Sequence, residues 1–99
     1  MDKAGLLLSL RRYFAADPQV VSVLAFGSVA AGTATQGSDV DLVVVKRTSE
    51  RFIERLTHSY LDIESVTGVP VDLLIYTPEE WEKQKQRPFF ARMAMEVVL

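Results

Sequence analysis

Apolar residues recur at three- and four-residue steps through Leu6, Leu7, Leu10, Tyr13 and Phe14, a stripe that predicts an amphipathic helix over residues 2–16. Asp17-Pro18 stops it, because the residue before a proline is driven out of the α region. Val20 to Phe26 is β-branched or apolar at nearly every position, as a strand covered on both faces is, and Gly27 ends it. Residues 28–33 are small and helix-compatible and predict a single helical turn, with Ser28 as N-cap and Gly32 as terminator. A polar loop follows from Thr33 to Ser38. The second strand, Val40 to Val45, is again apolar on both faces except at Asp41, and Lys46-Arg47 mark its exit.

Thr48 or Ser49 caps the next helix, which the stripe Phe52, Ile53, Leu56, Tyr60 and Ile63 carries to about Thr67, where Gly68 closes it. Val69 to Tyr76 reads as a third strand with Asp72 set among apolar neighbours. Thr77-Pro78-Glu79-Glu80 then combines an N-cap threonine, a proline at the first helical position and a glutamate placed to close a capping box, opening a helix to about Gln86. Pro88 opens a last helix through Glu96, with Phe89, Phe90 and Met93 inward, and Val97 to Leu99 adds a short edge strand. Such a strand is free to pair across a homo-oligomer or to fray. Helices interleaved with strands in this order make an α/β fold.

Ninety-nine residues make a single domain spanning 1–99, with one modest core and no room for a separate acceptor domain. Hydrophobic residues at 48% and charged residues at 24% are ordinary for a folded globular chain. A net charge of −2 lacks the basic balance of a nucleic-acid binder, so nucleic acid is not an expected partner. With no cysteine, disulfides, thiolate metal sites and cysteine nucleophiles are excluded. The leucines of the first helix run into Arg11-Arg12, too short an apolar stretch to span a membrane and without a cleavage pattern, so the expected location is cytoplasmic.

The candidate chemistry lies in three carboxylates. Asp39 and Asp41 are two residues apart at the entry of a strand, where side chains at i and i+2 share a face. Like charges held together repel and raise one carboxyl pKa unless a cation sits between them, and hard divalent ions take such oxygen ligands together with nucleotide phosphates. On its own such a pair is more often a turn cap beside a solvated strand residue than a metal site. Asp72 sharpens the choice, because a carboxylate inside an apolar strand needs a partner, a metal or solvent at a sheet edge. If its strand lies beside the second, all three carboxylates converge as a two-metal transfer site requires.

The pattern Gly27-Ser28, small residues, Gly32, a polar loop, Ser38-Asp39-Val40-Asp41-Leu42, and a later Val71-Asp72-Leu73 resembles the nucleotidyltransferase superfamily of the DNA polymerase β type. Within it the chain is most similar to the minimal nucleotidyltransferases, antitoxins paired with helical toxins of the HEPN type. The resemblance covers nearly the whole chain and implies a small mixed sheet flanked by helices. It also implies that Gly27, Ser28 and Ser38 bind the nucleotide, and that Asp39, Asp41 and Asp72 are the catalytic and metal-holding residues for two Mg²⁺ ions. ATP would be the donor, and AMP would pass to a hydroxyl of the acceptor, a tyrosine on the HEPN-type partner. Many relatives carry an arginine just before the second glycine, where this chain has Ala31, and that departure bears on nucleotide affinity and turnover. Lys46, Arg47 or a residue of the partner are the candidate substitutes.

Arg51 and His58 form R-x6-H, a spacing found in HEPN ribonucleases, but here it reads as a solvated helix face with Glu54 and Arg55. Tyr76 and Trp81 either stack on a base or belong to the core. Two alternatives to the adenylylating antitoxin remain: an antitoxin of the same fold that neutralises by contact alone, and the catalytic subunit of a small-molecule nucleotidyltransferase akin to aminoglycoside-modifying enzymes.

Overall fold

The computed structural model describes residues 2–35, 37–58 and 60–99, with side chains throughout these except at 56–58. Its elements are α1 (Lys3–Ala15), β1 (Val20–Phe26), α2 (Ser28–Ala31), β2 (Val40–Lys46), α3 (Phe52–His58), α4 (Ile63–Thr67), β3 (Val71–Tyr76), α5 (Pro78–Gln84), α6 (Pro88–Ala91) and β4 (Met95–Val97). The strands form one mixed sheet in the order β3-β2-β1-β4, with β1 antiparallel to β2 and β4, and β2 parallel to β3. A parallel pair needs a long crossover, and α3 and α4 supply it.

Alternation along the central strands assigns each helix its side. Val40, Leu42 and Val44 of β2 are fully buried with Leu6, Leu10 and Phe14 of α1 and Ile63 of α4. Val43 and Val45 point the other way, into Phe26, Trp81 and Phe90 of β1, α5 and α6. The reading of β2 as covered on both faces therefore holds, and Asp41, which alternates with Val43 and Val45, lies on the α5/α6 side.

The capping box at α5 forms as expected: Thr77 accepts from the Glu80 N–H, and the Glu80 carboxylate accepts from the Thr77 N–H. The helix stops at Gln84, two residues short of the expected end. Tyr76 stacks between Phe52 and Trp81, and Trp81 is only 8% exposed, so these rings belong to the core rather than to a base platform. His58 falls among the side chains outside the description.

Two further helices depart from expectation. The helix expected from Thr48 to Thr67 is two, α3 and α4, separated around Tyr60, which has a left-handed backbone (φ 60°). The Tyr60 hydroxyl donates to Asp17, Lys46 pairs with the same carboxylate at 3.0 Å, and its ammonium lies over the Tyr60 ring, so a polar cluster holds the break that the apolar stripe does not announce. Ile53, expected inside, is 71% exposed. The helix expected from Pro88 to Glu96 ends at Ala91, and Met95–Val97 leaves it to pair with the free edge of β1.

Arg55, expected on a solvated face, is buried instead. Its guanidinium donates to the backbone carbonyls of Glu50 and Ile75 and to the Glu80 carboxylate at 2.6 Å, tying α3 to β3 and to the capping box of α5. Burial works against the charge on Glu80, but its bonds with Thr77 and Arg55 outweigh that and hold its pKa below the ordinary value. Arg55→Met is expected to lower stability by about 2 kcal/mol, since buried acceptors lose their charged donor while Glu80 retains access to water. Denaturant unfolding of the two proteins measures it.

Candidate active site

Because β2 and β3 are parallel, their N-terminal ends lie side by side, and antiparallel β1 finishes at the same end. Phe26, Asp41 and Asp72 are Cα partners across the three strands, a single row whose centre is Asp41. Strand alternation places Asp72, like Leu74 and Tyr76, on the α5/α6 side with Asp41. The pairing on which convergence depended is therefore present. Asp39 lies exposed just before β2, Asp41 is half-buried, and Asp72 is exposed on the sheet's outer strand.

Burial, then the charge of Asp72, then that of Asp39, push the Asp41 carboxyl above its ordinary pKa. The three groups thus act on one another electrostatically. Among the described residues they are not drawn into a closed cluster: no three His, Cys, Asp or Glu side chains are gathered closely enough to hold a metal ion. The point between them therefore has one half-buried carboxylate, Asp41, and two exposed ones, Asp39 and Asp72.

Gly27 shapes the floor of this site. Its backbone (φ 72°, ψ −142°) lies in a region essentially restricted to glycine, and a Cβ built there would stand 2.7 Å from Asp41 Oδ2. The missing side chain is what admits the Asp41 carboxylate. Gly27, not Ser28, is the N-cap of α2; Ser28 is its first residue, and its carbonyl accepts the N–H groups of Thr33 and Ala34 to fold the turn back. Gly32 ends the turn in a left-handed conformation, as expected.

Ser38 is engaged within its own loop, where its hydroxyl accepts from the Thr35 N–H at 2.8 Å. Ala31 is exposed and brings no charge to the turn. Lys46 and Arg47 do not replace one: they lie at the opposite end of β2, Lys46 paired with Asp17 and the Arg47 N–H bonded to Gln19. Phe89, expected inward, is 60% exposed and rests edge-on against Phe26, the strand neighbour of Asp41. No sequence signal distinguishes it from the buried Phe90 beside it.

Residues 7–96 match the family model described as nucleotidyltransferase domain. A solved structure described as "Crystal structure of the toxin-antitoxin with AMP-PNP" is similar at a TM-score of 0.65, over 100% of this chain and 73% of that one, with 16% sequence identity. At that identity the likeness is one of fold. No curated protein matches the chain.

Proposed function

We propose that this chain, which belongs to the nucleotidyltransferase domain family, transfers AMP from ATP to a hydroxyl of an acceptor. The proposed acceptor is a tyrosine on a helical HEPN-type toxin that the chain silences as its antitoxin. The observation that carries the reading is the row Phe26-Asp41-Asp72 at the strand ends, with Gly27 opening the space for the central carboxylate. The likeness to a toxin-antitoxin structure with AMP-PNP supports the nucleotide and the partner.

The donor set is all oxygen, mutually repelling and half solvated, which suits hard divalent ions such as Mg²⁺. Asp39 and Asp41 would hold the ion that accompanies the triphosphate, and Asp72 would complete a second site with them. Held there, such ions would supply charge neutralisation to the transfer. Gly27 and Ser28 bind the phosphates, the glycine by letting backbone come close and the serine through its hydroxyl. Asp72 also lines an open cleft of about 220 Å³ at the β3 edge with Arg55, Tyr60, Leu61 and Glu64. The acceptor hydroxyl would attack the α-phosphorus with Asp72 taking its proton, and pyrophosphate would leave.

The uncharged turn at Ala31 favours a second reading, an antitoxin of the same fold that binds its partner without turnover. Mg²⁺ and ATP together test the first. At ten times its Kd the ligand stabilises by about 1.4 kcal/mol, several degrees in Tm for a domain of this size. The expected result is a rise with both present and none with ATP plus EDTA. No shift with both at millimolar concentration would leave only the contact-only reading.

A further inference from the structure

β3 is an outer strand of the sheet, so half of its backbone faces away from β2. The Val40 N–H donates to the Pro70 carbonyl at 3.0 Å, which fixes the alternation: Asp72 and Leu74 turn their backbone groups to β2, and Val71, Leu73 and Ile75 turn theirs outward. The Ile75 carbonyl bears this out, since Arg55 reaches it from α3. Among the described residues no hydrogen bond meets the outward groups of Val71 and Leu73. Beside them opens the cleft of about 220 Å³ that also reaches Asp72.

We propose that this edge docks an extended segment of the acceptor protein as an added antiparallel strand, with the hydroxyl residue opposite Asp72 and a lysine or arginine next to it. The inference deepens the nucleotidyltransferase reading above and rests on it. Unpaired N–H and C=O groups along a sheet edge select an extended backbone, and antiparallel pairing is the more stable kind. Because Asp72 turns its backbone inward, the residue opposite it belongs to a non-hydrogen-bonded pair, where side chains lie closest, with Cβ atoms about 4.5–5.5 Å apart. That residue shares the face of Asp72, so its hydroxyl extends the row Phe26-Asp41-Asp72 by one strand.

The two residues that flank the hydroxyl point to the other face, onto Val71 and Leu73, where Leu61, Ile63 and Glu64 line the cleft. Leu61 is 79% exposed, and Glu64 makes no ion pair among the described residues. Apolar walls that end at a carboxylate suit a long basic side chain, its stem on the leucine and its charge at Glu64. The cation already there, Arg55, is committed to Glu80 and to two carbonyls. The cleft is smaller than the roughly 300–1,000 Å³ that encloses a whole small ligand, so it takes one side chain and leaves the rest of the acceptor outside. A second copy of this chain is a poor occupant, because two β3 edges paired about Asp72 set like charges directly opposite each other.

Amide spectra of the ¹⁵N-labelled full chain, titrated without nucleotide with a short synthetic peptide carrying Lys-Tyr-Lys at its centre, test the docking. The Val71 and Leu73 amides should shift and exchange more slowly. N-methylating the two lysines, whose N–H groups face β3, is expected to weaken binding about tenfold or more. N-methylating the tyrosine, whose N–H faces away, weakens it far less. Glu64→Lys should weaken this peptide about fivefold and strengthen a Glu-Tyr-Glu peptide by a similar factor. With Mg²⁺ and ATP the docked tyrosine gains AMP, its oxygen bonding to the α-phosphorus as pyrophosphate leaves and its proton passes to Asp72. No binding at millimolar peptide, or binding that spares Val71 and Leu73 or ignores the methyl groups and the charge swap, overturns the edge as docking site and leaves the nucleotidyltransferase reading intact. Edge amides already protected in the free chain, with a dimer in sedimentation, give the edge to a second copy and overturn it as well. A chain that docks the peptide and binds ATP but puts no AMP on the tyrosine overturns the acceptor role alone. A chain that binds no ATP with Mg²⁺ overturns that role together with the reading on which it rests.

Discussion

Asp41→Asn is expected to raise the Tm of the metal-free protein by about 2 °C while lowering AMP transfer at least about a hundredfold. The stability gain follows from the raised native pKa of Asp41. Between the unfolded value and that higher native value, the folded chain binds more protons, so stability falls as pH rises through the window. At neutral pH the ionised carboxylate, partly desolvated and facing Asp72 and Asp39, is a net cost to the fold. Because the site is open to water, screening keeps that cost to a few tenths of a kcal/mol. The Tm values of the two proteins should therefore converge as pH falls below about 4, where the unfolded carboxyl is itself protonated. The loss of transfer has a different origin: the amide retains shape but not the charge proposed to anchor the ions. A variant less stable than wild type at neutral pH, or one that transfers AMP normally, contradicts this account of Asp41.

Gly27→Ala carries the largest expected stability effect, a loss of about 2–4 kcal/mol. Part is backbone strain, about 1–3 kcal/mol for a side chain forced into a glycine-only region. The rest comes from the new Cβ, which at 2.7 Å from Asp41 Oδ2 must displace either β2 or the carboxylate. Gly32→Ala separates the two effects, because Gly32 also has positive φ but an empty surrounding, and it should cost only the strain of a left-handed residue, about 1–2 kcal/mol. Denaturant unfolding of both variants gives the comparison. Asp41→Ala in the Gly27→Ala background should recover part of the loss, the coupling expected of residues in direct conflict. Additive losses would mean that the glycine serves its backbone alone.

Much of this arrangement is legible in the amino-acid sequence. The boundaries of β1 and the capping box of α5 rest on local signals, β-branched runs and cap chemistry, and the charge out of place in an apolar strand singles out Asp72. Its row with Asp41 depends on the parallel pairing of β2 and β3, which local pattern does not fix. The misses have long-range causes. The stripe from Phe52 to Ile63 keeps helical spacing through a break that is held by Asp17 and Lys46, residues of other elements. Met95 to Val97 suits helix or strand by composition, and the open edge of β1 decides it. Arg55 has the pattern of a surface residue, and its burial depends on Glu80, 25 positions away.

The proposed nucleotidyltransferase activity requires one end of the sheet to hold a metal-bound nucleotide. Paramagnetic broadening by Mn²⁺ with ATP, followed on the backbone amides of a ¹⁵N-labelled chain, tests it most directly. Broadening is expected to centre on Gly27, Ser28, Asp39, Asp41 and Asp72 and to be lost in Asp41→Asn, while Asp17, Gln19 and Lys46 at the far end of the sheet remain sharp. Broadening centred on that far end, or none at millimolar Mn²⁺ and ATP, would contradict it.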